Sequence, residues 1–242
     1  MVGSWQDAAL VAVDLEGSGA QDRDREAILE IATIPLTAGV VQVAEGYHTM
    51  INPGRSIPRR PWISPGLTND ALSGAPALSS VEPELSARLN SRILVGHNIA
   101  VDWRLLQRRC PTLRPTGLID TLRLARQLDT ERAGLSLTAL LDRHTLTRRV
   151  SELAPGGQPH RALWDAVGAG LLLACLAEQI HGARPVSLRE LQRLAAIPLA
   201  TLTPIRPGGE QTELFPRATA DGSPQVRLRR PPRPSRNSHA WR

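Results

Sequence analysis

Residues 8–15, Ala-Ala-Leu-Val-Ala-Val-Asp-Leu, are a short apolar, β-leaning run that ends at Gly17-Ser18-Gly19. A run of this length bounded by turn residues reads as a buried strand followed by a turn. A buried strand needs neighbours on both sides, and the next segments supply them. Residues 28–35 and 40–50 read as two further strands, separated by Thr37-Ala38-Gly39. From there the pattern alternates: a Pro/Arg-rich loop over 52–65, a helix over 81–89 and a short strand over 93–95. Asn98 is placed to cap a helix over 99–109. A strand at 118–119 follows, then helices over 121–128 and 137–143, a loop at 154–157 and a long helix over 161–180. Three β-runs followed by alternating helix and strand predict an α/β fold with a mixed sheet flanked by helices. Residues 1–182 form the expected domain, 183–197 a short helical extension, and 198–242, rich in Pro, Gly and Arg, a disordered tail.

Composition excludes several classes. Two cysteines, 65 positions apart, cannot make a disulfide framework or a Cys-rich zinc module, and they fit a reducing, cytoplasmic compartment. The opening residues show no secretory pattern. The longest apolar run, over 166–177, is 12 residues, whereas a membrane helix needs about 20, so no membrane role is expected. All 29 basic residues are arginine against 23 acids, and the excess of six belongs to residues 217–242, where seven arginines face Asp221 alone. The preceding 216 residues are neutral overall. The high pI therefore describes the tail, whose functional reading is attraction to nucleic-acid phosphates and whose plainer reading is solubilisation or a biased genome.

The chemistry lies in carboxylates. Asp14 and Glu16 stand two apart at the end of the first run, and i, i+2 positions on a strand share a face. Two carboxylates there repel, and burying them without a partner is costly. A divalent cation is the natural partner, and oxygen ligands favour Mg²⁺ or Mn²⁺. The plainer alternative is that the strand has ended and both acids are solvated. Asp102, within Gly96-His97-Asn98-Ile99-Ala100-Val101-Asp102, falls in the first turn of a helix, where the dipole favours an acid in any protein. His160 and Asp165 are five apart, roughly 500° of helix rotation, which places His160 in a loop and Asp165 on the helix that follows. A loop histidine beside a helix-borne carboxylate can serve as a mobile base next to a metal ligand; each alone is also an ordinary surface residue.

Taken together, Asp14-Leu15-Glu16, then Gly96-His97-Asn98 with Asp102, then His160 and Asp165 resemble the three exonuclease motifs of the DEDD 3′–5′ exonucleases, DEDDh (DnaQ-like) subgroup. Smaller matches fall in order between them: Ile28-Leu29-Glu30-Ile31-Ala32, Ile51-Asn52-Pro53, Asp120-Thr121-Leu122 and Leu135-Ser136-Leu137. The resemblance covers about residues 8–182. It implies an RNase H-like fold and two-metal hydrolysis of a phosphodiester, with two Mg²⁺ or Mn²⁺ ions. In that scheme Asp14 bridges both ions, Glu16 and Asp165 complete the shell, Asp102 binds the second ion directly or through water, and His160 takes the proton of the attacking water. The product is a nucleoside 5′-monophosphate from a single-stranded 3′ end. Gly17, Ser18 and Asn98 fall where the family contacts substrate. The chain departs from the family at Gly17-Ser18-Gly19, where Thr-Thr-Gly is usual, and at Val101, where Phe is common.

The lead expectation is an exonuclease acting on DNA in replication or repair, similar to the epsilon-type proofreading subunits of bacterial replicative polymerases, nucleoid-associated and with a polymerase as a partner. The alternatives are an RNA-trimming exonuclease of the same family, which the same residues would serve, and a nucleic-acid-binding, clamp-associated adaptor that has lost catalysis. In the tail, Gln211-Thr212-Glu213-Leu214-Phe215 contains the chain's single phenylalanine. It resembles the pentapeptide by which bacterial replication proteins bind the sliding clamp, with Gln211 making polar contacts and Leu214 and Phe215 filling the pocket. The alternative is that Leu214-Phe215 folds back onto the body.

Overall fold

The computed structural model describes residues 3–128, 133–181 and 186–199. The expected tail over 198–242, apart from its first two residues, lies outside them, as do Gln211, Leu214 and Phe215. The elements run β1 (Leu10–Gly17), β2 (Ile28–Thr37), β3 (Val40–Val41), β4 (Tyr47–Met50), α1 (Asn69–Ser73), α2 (Leu78–Leu89), β5 (Ile93–Gly96), α3 (Ala100–Arg109), β6 (Gly117–Asp120), α4 (Thr121–Leu128), α5 (Leu137–Arg143), α6 (Thr147–Leu153), α7 (Ala162–His181), α8 (Leu188–Ala195) and β7 (Ala196–Ile197). The strands form one sheet in the order β3-β2-β1-β5-β6-β7, with β4 also paired to β2. β1 pairs antiparallel with β2 and parallel with β5, so the sheet is mixed, as expected.

β1 sits in the middle because it can be buried on both faces. Leu10 and Ala12 pack towards α7, whereas Val11 and Val13 pack towards α2 and α3. The alternation then puts Asp14 and Glu16 on the α7 face, at the carboxyl end of the strand. Register places Asp14 opposite Ala32 and Glu16 opposite Glu30.

α7 is apolar all round and lies against β1, β2, β3 and β5 with α4, α5 and α6 around it. By length and composition it would suffice to cross a membrane, unlike the 12-residue run on which the sequence reading rested, because its polar residues are few. Its place as the central core helix accounts for that composition. Gly170 allows its closest approach: a Cβ there would lie 2.6 Å from Val41 Cγ1 and 3.5 Å from Ala12 Cβ. Gly170→Leu should cost about 1–3 kcal/mol by overpacking, read as a lower urea midpoint at unchanged slope.

Three local expectations are corrected. The strand expected over 40–50 is two short strands joined by a 3₁₀ turn at Val43–Glu45. β2 is long enough that β3 pairs with its far end and β4 with its near end, and the turn takes up the slack. Asn98 does not cap α3: the N-cap is Ile99, and Asn98 adopts φ 64°, a left-handed conformation that asparagine tolerates. The segment expected as helix through 197 ends at Ala195. Ala196–Ile197 pairs antiparallel with Leu118 and Ile119 at the sheet edge, the residue before Pro198 being biased to extended backbone.

Candidate active site

The carboxyl end of β1 and the first turns of α3 and α7 converge at one point. Asp14, Glu16 and Asp165 each offer an oxygen within 4.8 Å of the others. Asp14 and Glu16 come from one face of β1, and Asp165 from the first turn of α7. Asp102, in the first turn of α3, lies outside that triad but beside it. Its Oδ1 accepts the backbone N–H of Leu15 at 3.3 Å, so it is tied to the residue between the two strand acids. His160 is exposed in the turn before α7, with φ 64°, and its backbone N–H donates to Asp165 Oδ1 at 3.4 Å.

Electrostatics show what the cluster lacks. Burial, and then the charges of Asp102, Asp165, Glu16 and Glu30, push the Asp14 carboxyl well above the usual range. Burial raises Glu16 to about 7, against the hydrogen bond from Ser64. Burial also lifts Asp102 to about 8, against the Leu15 N–H, and Asp165 to about 6, against the opposing charge of His160. Four carboxyls that resist ionisation at one spot need positive charge. Oxygen-only donors at this spacing suit a hard divalent ion, so the residues present fit Mg²⁺ or Mn²⁺.

Neighbouring cations offset part of the negative charge around the cluster. Glu30, directly across from Glu16, is fully buried. Like charges opposite each other on a sheet destabilise it. Arg161 offsets the Glu30 charge with a two-pronged contact, Nε to Oε2 at 2.8 Å and Nη2 to Oε1 at 2.6 Å. His48 Nε2 lies 2.7 Å from Oε1, and the Ala162 N–H donates to Oε2 at 3.2 Å. Burial alone would raise the Glu30 pKa, but these bonds outweigh it and hold the group at about 2. The same contacts pin the start of α7, and with it the turn that carries His160. Asp120 works likewise for α3: its Oδ1 accepts N–H groups of Asn98 and Leu122, both at 2.9 Å, joining the turns after β5 and β6. Ser64 donates to Glu16 Oε2 at 2.7 Å.

Of the residues expected at substrate, Gly17 and Asn98 are partly exposed, but Ser18 is fully buried. Its Oγ accepts the Ala27 N–H at 3.0 Å, which holds the loop that follows β1. Trp103 is buried, with Nε1 3.5 Å from the Leu199 carbonyl, and Trp164 lies in the core. Cys110 is buried and Cys175 is partly exposed.

Acids from one strand and two helices thus meet at the end of the central strand of a mixed sheet. The exonuclease family typified by RNase T matches residues 11–171, and the chain belongs to it. A PolC-type DNA polymerase III of Thermotoga petrophila is 30% identical over 198 residues, 79% of this chain and 13% of the polymerase. The DNA polymerase III epsilon subunit of Aquifex aeolicus is 31% identical over 127 residues, 50% of this chain and 61% of that subunit. The chain thus spans less than two thirds of either relative. A structure of exonuclease X in complex with 5′-overhanging duplex DNA superposes with a TM-score of 0.56 at 25% identity, covering 76% of this chain and 98% of that one.

Proposed function

We propose that this chain is a metal-dependent 3′–5′ exonuclease that releases nucleoside 5′-monophosphates from DNA, in replication or repair. The observation that carries this is the convergence of Asp14, Glu16 and Asp165 within 4.8 Å at the end of β1, with Asp102 tied to the same strand end and His160 at its rim. The polymerase III relatives and the DNA-bound exonuclease X favour DNA over RNA.

Asp14, Glu16 and Asp165 would hold two divalent ions, with Asp102 completing the set. Such ions supply activation of the attacking water and neutralisation of the leaving 3′ oxygen. The exposed turn lets His160 take the water's proton at an imidazole nitrogen as the water oxygen bonds to phosphorus and the P–O3′ bond breaks. Glu30 and Arg161 keep that turn and Asp165 in fixed relation. A polymerase partner, and a clamp-docking role for Gln211, Leu214 and Phe215, belong to the same proposal.

The test pairs 5′-labelled DNA and RNA of one sequence, each with Mg²⁺, Mn²⁺ or EDTA. Faster metal-dependent shortening of DNA supports the proposal; faster shortening of RNA would move the chain to the RNA-trimming branch. Loss of activity with intact gel-shift binding would leave the adaptor reading. His160→Ala should slow release by about 10²–10⁴-fold while the thermal stabilisation by Mg²⁺ persists, because the imidazole is not among the proposed ligands.

A further inference from the structure

Trp62 is one of the large apolar side chains left open among the described residues, with 50% of its surface exposed. A lone exposed apolar side chain is ordinary, but this one is held firmly. Its Nε1 lies 3.4 Å from the Ser18 carbonyl. The Arg60 guanidinium stands over the ring, 5.3 Å from its centroid, and is itself fixed to Asp22 at 2.9 Å. Gly19 has φ 100°, and a Cβ there would come within 2.4 Å of Trp62 Nε1, so the turn after β1 admits the indole only because it carries glycine. Two residues further on, Ser64 donates to Glu16, and the Pro65 carbonyl accepts from Arg161 Nη1 at 3.5 Å. Two residues of chain reach at most about 7 Å, which sets this rigid, half-open indole beside the acidic cluster. Core packing does not account for it, since half of it faces out. The α3 side offers only Val101, 36% exposed, and Trp103 is turned into the core.

We propose that Trp62, backed by Arg60, is a stacking platform for a base of the strand whose 3′ end enters the acidic cluster. This rests on the exonuclease reading above. Arg60 stands over the ring, half of the Trp62 side chain is open to a nucleobase, and the arginine charge favours the adjoining phosphates. Stacking tolerates any base, which suits an enzyme that meets a new terminal nucleotide after every cleavage.

The test uses 5′-labelled oligothymidylate of ten residues with the full chain as wild type, Trp62→Phe, Trp62→Leu and Trp62→Ala. Affinity is read by fluorescence polarisation in EDTA, and nucleotide release in Mg²⁺. The Leu and Ala variants should bind about 10-fold more weakly and Phe within about 3-fold of wild type, as one base–aromatic stack requires. KM should rise in parallel while kcat changes less than about 3-fold, because the platform binds substrate without touching the scissile bond. The oligonucleotide should also quench the tryptophan fluorescence of wild type more than that of Trp62→Phe. Leu binding as well as Phe, or folded Ala binding as well as wild type, would overturn the platform and leave Trp62 as loop cover. Wild type that binds but releases nothing from DNA or RNA in either metal would sink the exonuclease reading instead. Active wild type with an unchanged Ala variant would sink the platform alone.

Discussion

Asp14→Asn should cut nucleotide release by about 10²–10³-fold, the usual effect of removing one charge-stabilising group from a reacting centre, and yet raise the melting temperature of the metal-free protein at pH 8. The two effects share one cause. Asp14 is the most crowded carboxyl of the cluster, and its neighbours Glu16, Asp102 and Asp165 are raised to about 7, 8 and 6. Carboxyls with a folded pKa above the unfolded value bind more protons in the folded state. Without metal, stability therefore falls as pH rises from the ordinary carboxylate range through these values. Asparagine removes one of the charges. A bound Mg²⁺ reverses the sign, since it favours the folded, ionised carboxylates. At 100 times its Kd the ion adds about 2.7 kcal/mol, which in a chain of this size is about 5–10 °C. Scanning fluorimetry at pH 5 and pH 8, in EDTA and in Mg²⁺, checks this. The Mg²⁺ shift should be larger at pH 8 in wild type and much smaller in Asp14→Asn. A pH-independent shift, or a variant less stable than wild type in EDTA at pH 8, would contradict the electrostatic account.

Glu30→Ala should be the most destabilising single substitution near the site, at about 1–3 kcal/mol, because it leaves the half-buried Arg161 guanidinium and the buried Ala162 N–H without their acceptor. Glu30 is fully buried, and its loss strips Arg161, His48 and the Ala162 N–H of one acceptor. Its pKa is depressed to about 2, so the stability it provides is present above the ordinary glutamate range and is lost as pH falls towards 2. Chemical denaturation of Glu30→Ala, Arg161→Leu and the Glu30→Met/Arg161→Leu pair separates the contributions. The apolar pair should recover most of the stability, as buried pairs often do when both members are replaced. It should not recover activity, because the turn bearing His160 loses its anchor to β2. A loss below about 1 kcal/mol for Glu30→Ala, or an apolar pair as unstable as the single variant, would show that the network does not hold the site.

What could be read from the sequence was whatever local pattern controls. The run over 8–15 had to be a strand, and its two-residue period put Asp14 and Glu16 on one face before any partner was known. The five-residue offset of His160 and Asp165 separated a turn residue from a helix residue, and the structure has them so. What was hidden depends on distant partners. Glu30 lay in plain sight as an acid within Ile28-Leu29-Glu30-Ile31-Ala32, and a lone acid in a buried strand demands a partner. That partner, Arg161, is 131 residues away. Ser64 on Glu16 and Asp120 on the Asn98 N–H are contacts of the same long-range kind. Asn98 was misread as a cap because its residue type suits one; the Asp120 carboxylate takes its N–H instead, and the backbone turns left-handed. The burial of Ser18 was hidden because it depends on the loop through Ala27 folding over it.

The most direct test of the central claim follows the 3′-terminal nucleotide itself. A DNA strand carrying label in the phosphate before its last nucleotide and a second label at its 5′ end is incubated with the chain in Mg²⁺. The account predicts that the 3′ label leaves first, as a nucleoside 5′-monophosphate, while the 5′ label stays in strands shortened one nucleotide at a time, and that EDTA stops both and Asp14→Asn slows both. A 3′ label recovered in oligonucleotide fragments, or release that survives EDTA or is undiminished in Asp14→Asn, would contradict it.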